Sequence, residues 1–217
     1  MAWTLFIGNK AYSSWSLRPW ILMRHFGIPF TDKTIPLDQS TTGEEIRRHS
    51  PTGRVPLLEA DGVRVWESLA IMEFLAERFP DLAIWPADPE ARTLARSLAS
   101  EMHAGFQRLR QTCPTNFRRP QRAIAIPDDA RRDVDRIEEA WAGARERWGQ
   151  GGPFLFGAFT AADAMFAPVI NRLWTYAIPV RPETAAYMAA VMALPAWHAW
   201  IEGAEAEPWF IDRYEAI

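Results

Sequence analysis

The spacing of the apolar residues changes once along this chain, at the proline-rich stretch Pro80–Pro89 (PDLAIWPADP), and that change divides it in two. Before the stretch, short apolar runs that read as strands alternate with segments of helical spacing; after it, only helical spacing remains. Trp3–Gly8 (WTLFIG) is a short apolar run stopped by glycine and reads as a buried strand. Leu17, Trp20, Ile21 and Leu22 then recur at helical spacing from about Trp15 to Phe26-Gly27. Gly27 suits a left-handed terminator, and Pro29 forbids continuation. Phe30–Leu37 reads as a second strand whose Pro36 marks an edge or an end. Thr42–His49 reads as a short helix with Glu44 and Glu45 in its electropositive first turn. The sharpest local signal follows: Val55–Ala60 and Val63–Trp66 flank Asp61-Gly62, the dipeptide of a two-residue type I′ loop. A helix over Ser68–Phe79 carries Leu69, Met72, Leu75 and Ala76 on one face. The order β-α-β-α-β-β-α predicts a complete small α/β domain with a mixed four-stranded sheet.

Helical patterns then occupy Pro89–Arg110, Pro127–Gly149, Thr160–Tyr176, Pro182–Ala193 and Pro195–Gly203. Several open on proline, whose missing N–H costs nothing in a first turn. Thr160-Ala161-Ala162-Asp163 resembles a capping box with Asp in place of Glu or Gln. The expected organisation is an α/β domain at 1–80, a linker at 81–88 and an all-α domain at 89–217.

Composition removes several classes of function. With 48% apolar and 24% charged residues the chain is an ordinary globular mixture. No apolar run approaches the ~18–20 residues of a membrane span. The start, MAWTLFIGNKAYSSW, lacks the parts of a signal peptide. Cys113 is the single cysteine, so no internal disulfide, CxxC pair or multi-cysteine zinc site can form, and a reducing cytoplasm is the expected compartment. A formal net charge of −3 argues against a duplex nucleic-acid partner, and Arg118, Arg119 and Arg122 read as a solvated loop. His25, His49, His103 and His198 stand singly, without metal-ligand spacing. The chain has no GxSxG elbow, P-loop or GxGxxG. Cys113 reads as inert packing.

Three features of the first domain can carry chemistry. Ser13-Ser14-Trp15 lies between the first strand and the first helix. A serine there is by default an N-cap, yet a helix N-terminus with a hydroxyl also suits an anion such as a thiolate. Lowering a thiol pKa from ~8.5 to below 7 takes only ~2–3 kcal/mol, the scale of one charge-assisted hydrogen bond plus a helix dipole. Val55-Pro56 opens the hairpin, where a cis bond would turn the preceding residue's backbone outward to pair with an extended peptide. Glu67-Ser68 precedes the third helix, as a cap or as a seat for an ammonium beside a carboxylate.

In their joint order, with RVPLLEADG..VWESLAIMEFLAERFP as the most specific stretch, these features closely resemble a cytosolic glutathione transferase over essentially the whole chain. The resemblance implies a thioredoxin-like N-terminal domain, a helical C-terminal domain, a homodimer, glutathione as co-substrate, no metal, and a role in detoxification. By matching motif, Val55 would bind the cysteinyl unit through its backbone and Pro56 would be cis. Glu67 and Ser68 would take the γ-glutamyl end, Trp15 would adjoin the tripeptide, and Arg54 would reach the glycyl carboxylate. SSWSLRP is similar to the SSC-x-W-R signature of the serine-type zeta class, which includes maleylacetoacetate isomerases. On that match Ser13 stabilises the thiolate, with Ser14 the alternative. Trp15 stands where the signature has cysteine, which excludes a cysteine-type reaction at this position. Thr175 stands where an arginine would bind isomerase substrates, with Arg172 one turn earlier. In such a family the electrophile sits against the first long C-terminal helix, where His103, Phe106, Gln107 and Arg110 would share a face and suit an apolar or anionic small molecule. The alternatives are a glutathione-dependent isomerase, a non-catalytic glutathione-binding homologue, and a dimer-forming scaffold that does not bind glutathione.

Overall fold

The computed structural model describes residues 3–216. β1 (Thr4–Ile7) is an inner strand of a four-stranded mixed sheet, parallel to β2 (Thr31–Thr34) and antiparallel to β3 (Leu57–Ala60). β3 pairs antiparallel with β4 (Val63–Trp66), giving the order β2-β1-β3-β4. A parallel pair needs a crossover, and α1 (Ser14–His25) supplies it. At the hairpin Asp61 has φ 51° and Gly62 φ 81°, the two left-handed residues that Asp-Gly predicts. Leu5 and Ile7 enter the main core under α1 and α3 (Ser68–Arg78), whereas Phe6 packs with Ile35, Ile46 and Leu57 under α2 (Thr42–His49). Both faces of β1 are covered, and this is why its sequence is a continuous apolar run.

The remainder is helical: α4 (Pro89–Ala104), α5 (Gln107–Thr112), α6 (Asp128–Trp148), α7 (Ala161–Thr175), α8 (Pro182–Met192), α9 (Pro195–Ala206) and the short α10 (Asp212–Glu215). α7 is buried along its length except at Trp174 and packs on both α1 and α4, so it joins the two halves. The capping box at its start is present as Thr160–Asp163 implies.

One expected helix is two. The pattern over Pro89–Arg110 breaks because Gly105 is extended and Phe106 adopts a left-handed conformation at φ 59°. A Cβ at Gly105 would lie 2.8 Å from the Glu101 carbonyl oxygen, so only glycine fits this exit. The Arg110 guanidinium holds the break by donating to the Met102 and Gly105 carbonyls, supplying partners that the end of α4 lacks.

Candidate functional site

A cleft of about 790 Å³ opens between the β1–α1 turn, the segment before β3, and helices α4, α5 and α7. Tyr12, Ser13, Ser14 and Trp15 form one wall. Ser13 occupies the N-cap position of α1, but its side chain makes no capping bond. Its Oγ donates instead to Ser16 Oγ at 2.8 Å, and Ser16 Oγ accepts the Gly8 N–H at 3.0 Å. The default cap reading therefore fails: α1 presents uncapped N–H groups, with the Ser13 and Ser14 hydroxyls beside them on the cleft wall. Gly8 makes this closeness possible, since a Cβ there would lie 3.1 Å from Ser13 Oγ and 2.6 Å from Leu37 Cδ1.

Arg54, Val55 and Pro56 also line the cleft, and the Val55–Pro56 peptide is cis. Glu67 is the N-cap residue of α3 and also makes no capping bond. Its φ of 67° is left-handed, a conformation costing a non-glycine residue ~1–3 kcal/mol that persists where surroundings impose it, often at binding sites. The Glu67 carboxylate lines the cleft with His103 Nε2 3.4 Å away. Ser68 begins α3 just behind, fully buried, and its Oγ accepts from Arg18 Nη1 at 3.4 Å. Burial, then the Arg18 charge, pushes His103 below its usual range, so the imidazole facing Glu67 is neutral at pH 7.

The proposed electrophile face does not survive the break between α4 and α5. His103 and Arg110 line the cleft; Phe106 is buried in the core, and Gln107 is exposed with Nε2 donating to the Ala104 carbonyl at 3.2 Å. Spacing at three and four residues places side chains on one face only within a continuous helix, and here the chain turns at Phe106. Arg172 joins His103 and Arg110 on the wall. Burial is the first cause lowering both Arg110 and Arg172, and the neighbouring Arg110 charge helps bring Arg172 to about 10. Trp15 sits among these cations, with Arg18 4.3 Å and Arg110 5.0 Å from its ring centroid and the His103 ring edge-on at 5.0 Å. Such a wall attracts anionic and polarisable ligands.

The C-terminal segment contributes Ile211, Arg213 and Tyr214 to the cleft, none of which the sequence singled out. Arg213 pairs with Asp38 at 2.7 Å. Arg118 is not a solvated loop residue: it donates to Tyr12 Oη at 2.7 Å and to the Glu207 and Trp209 carbonyls, tying this segment down. Tyr12 Oη in turn donates to Glu215 Oε1 at 2.5 Å; burial first, then Glu215, raises its pKa. Its hydroxyl is thereby committed and unsuited to ionising a thiol. Cys113 is fully buried, and burial pushes its thiol up to about 11. A disulfide reagent at pH 7–8 is expected to titrate no thiol in the native protein and one after denaturation; prompt native reaction would show Cys113 to be accessible.

Among the described residues no group of three or more histidine, cysteine or carboxylate side chains is placed to hold a metal, and no helix is long and apolar enough to cross a membrane. Residues 12–78 match the family described as glutathione S-transferase, N-terminal domain, and residues 127–203 its C-terminal domain. Glutathione S-transferase GstA of Escherichia coli O157:H7 is 30% identical over 186 residues, covering 82% of this chain and 86% of that protein. Maleylacetoacetate isomerase of Mus musculus is 31% identical over 105 residues, 46% of this chain and 47% of that protein. The chain thus spans about half the length of the isomerases it matches. A glutathione transferase homolog from Burkholderia, solved with bound glutathione, superposes with TM-score 0.70 at 26% identity, covering 95% of this chain and 100% of that one.

Proposed function

The chain belongs to the glutathione S-transferase family, and from that premise we propose that it ionises the glutathione thiol and directs it at an electrophilic small molecule in the adjoining cleft. The uncapped N-terminus of α1 with Ser13 Oγ beside it carries this reading. The Ser13 hydroxyl hydrogen, which donates to Ser16 Oγ in the ligand-free protein, would turn to the sulfur when glutathione binds, while the Gly8 N–H holds Ser16 in place. The sulfur, not the enzyme, attacks carbon, so the rate gain comes from thiolate stabilisation and proximity. Val55 would pair its backbone with the cysteinyl unit, Glu67 would accept the γ-glutamyl ammonium, the α3 N-terminus with Ser68 would take its carboxylate, and Arg54 would meet the glycyl carboxylate. His103, Arg110 and Arg172 face the electrophile.

Ultraviolet difference spectra on adding glutathione at pH 7 test the central step: thiolate absorbance is expected, and its absence from a saturated complex would refute it. Glu67→Gln or Ser68→Ala is expected to weaken glutathione affinity by about 1–3 kcal/mol, the worth of a charge-assisted bond. Calorimetric titration measures this, and unchanged affinity in both variants would remove the γ-glutamyl seat. Glutathione-dependent cis–trans isomerisation of carboxylated substrates, the maleylacetoacetate type, is the second reading; the half-buried Arg110 and buried Arg172 on the cleft wall favour it. A homodimer in the cytoplasm completes the proposal. Val63, 50% exposed, and Trp66, 40% exposed, on edge strand β4 favour an apolar contact, which light scattering on the purified protein would test.

A further inference from the structure

Arg18 projects from α1 into the protein interior and is fully buried. Its Nη1 lies 3.4 Å from Ser68 Oγ, its guanidinium carbon stacks 4.3 Å from the Trp15 ring centroid, and Nε and Nη2 have no hydrogen-bond partner. No carboxylate forms an ion pair with it among the described residues. The charges that act on it are Arg110 and Arg172, which repel it, and Glu67, which attracts it from the cleft without pairing with it and lies 3.4 Å from His103 Nε2. A buried cation without an ion pair, under the repulsion of two like charges, destabilises the protein unless an anion offsets it.

That anion's place is marked. Arg18 touches Ser68, the first residue of a helix whose N-cap makes no capping bond, so free N–H groups and a hydroxyl converge on one spot. Because Ser68 Oγ already accepts from Arg18, its hydrogen is left to donate forward. We propose that Arg18 is a positioning residue and buried counter-charge for the α-carboxylate of the γ-glutamyl unit, acting through Ser68. This deepens the reading of Glu67-Ser68 as the γ-glutamyl seat and rests on it. Arg18 does not line the cleft, so it makes no direct contact; it orients the Ser68 hydroxyl and adds a field that low polarity leaves unscreened.

The test compares glutathione with its analogue lacking that carboxylate, γ-aminobutyryl-cysteinyl-glycine, by calorimetric titration of wild type, Arg18→Met and Arg18→Lys. Wild type is expected to prefer glutathione by about tenfold or more, the worth of a charge-assisted hydrogen bond. Arg18→Met is expected to shrink that preference to about threefold or less while binding the analogue as wild type does, and Arg18→Lys to keep most of it. The ligand-free melting temperature of Arg18→Met is expected to stay or rise, since an apolar isostere removes an uncompensated charge. A preserved preference in Arg18→Met, an equal loss for both ligands, or failure of that variant to fold would each overturn the proposal, the last two by making the guanidinium a structural group. Lost turnover of carboxylated electrophiles with the preference intact would assign Arg18 to the other substrate and overturn it as well. Those outcomes leave the γ-glutamyl seat standing; a wild type with no preference between the two peptides would remove the seat itself.

Discussion

Ser13→Ala is expected to lower kcat/KM for glutathione conjugation about 10- to 100-fold at pH 7, because one hydrogen bond to a charged sulfur is worth about 1.5–3 kcal/mol. The fold should be indifferent, since Ser13 Oγ does not cap α1 and its one side-chain bond is to Ser16, which keeps the Gly8 N–H. The deficit has a pH signature. Removing the donor raises the pKa of the bound thiol, so the variant loses most below that pKa and converges on wild type as the pH approaches the free-thiol value of ~8.5. A pH–rate profile separates this from a binding defect, which would lower the rate at every pH. Ser14 shares the wall but starts the helix itself, and Ser14→Ala should cost less. The reverse ranking would move the thiolate to Ser14.

Asp163→Ala is expected to destabilise the protein by about 3–5 kcal/mol in urea unfolding. The carboxylate is fully buried and collects four donors: the Leu155 N–H at 3.0 Å, the Thr160 N–H at 2.8 Å, the Thr160 hydroxyl at 3.0 Å and the Tyr187 hydroxyl at 3.1 Å. Burial pushes its pKa up to about 6 against these donors, still low enough for the ionised form to accept all four at pH 7. Alanine strands the donors in a dry interior at about 1–3 kcal/mol each, and the sum is cut because they share one site. The loss falls on α7, which packs against both α1 and α4, so unfolding should remain a single transition at lower denaturant. A loss below about 1 kcal/mol would mean that water or rearrangement replaces the carboxylate.

Much of this architecture was readable locally. Asp61-Gly62 makes a type I′ loop because both residues tolerate positive φ, and Thr160–Asp163 caps α7 with hydroxyl and carboxylate three residues apart. Pro89, Pro182 and Pro195 open α4, α8 and α9 in first turns, where their missing N–H is harmless. The break at Gly105-Phe106 was not readable. Phe106 continues the apolar spacing, and the break is held by an arginine side chain reaching back to the Met102 and Gly105 carbonyls. Phe106 and Gln107 fall outside the cleft because α4 stops before them. Nor did the basic cluster reveal that Arg118 fastens the tail, since its partners lie about ninety residues on.

Periodicity, turn dipeptides and caps thus set the elements and their order, because each depends on neighbours within a turn or two. The position of Ser13 and the pair Glu67-Ser68 came from the same short-range grammar, read with the family resemblance. Which side chains face one another was decided only in the packed chain. Arg18 reads like any helical arginine until α3 covers it, and Arg172 becomes a cleft residue only when α7 packs beside α1. Burial and the company of other charges are properties of the assembled volume, and they give these two arginines their chemistry.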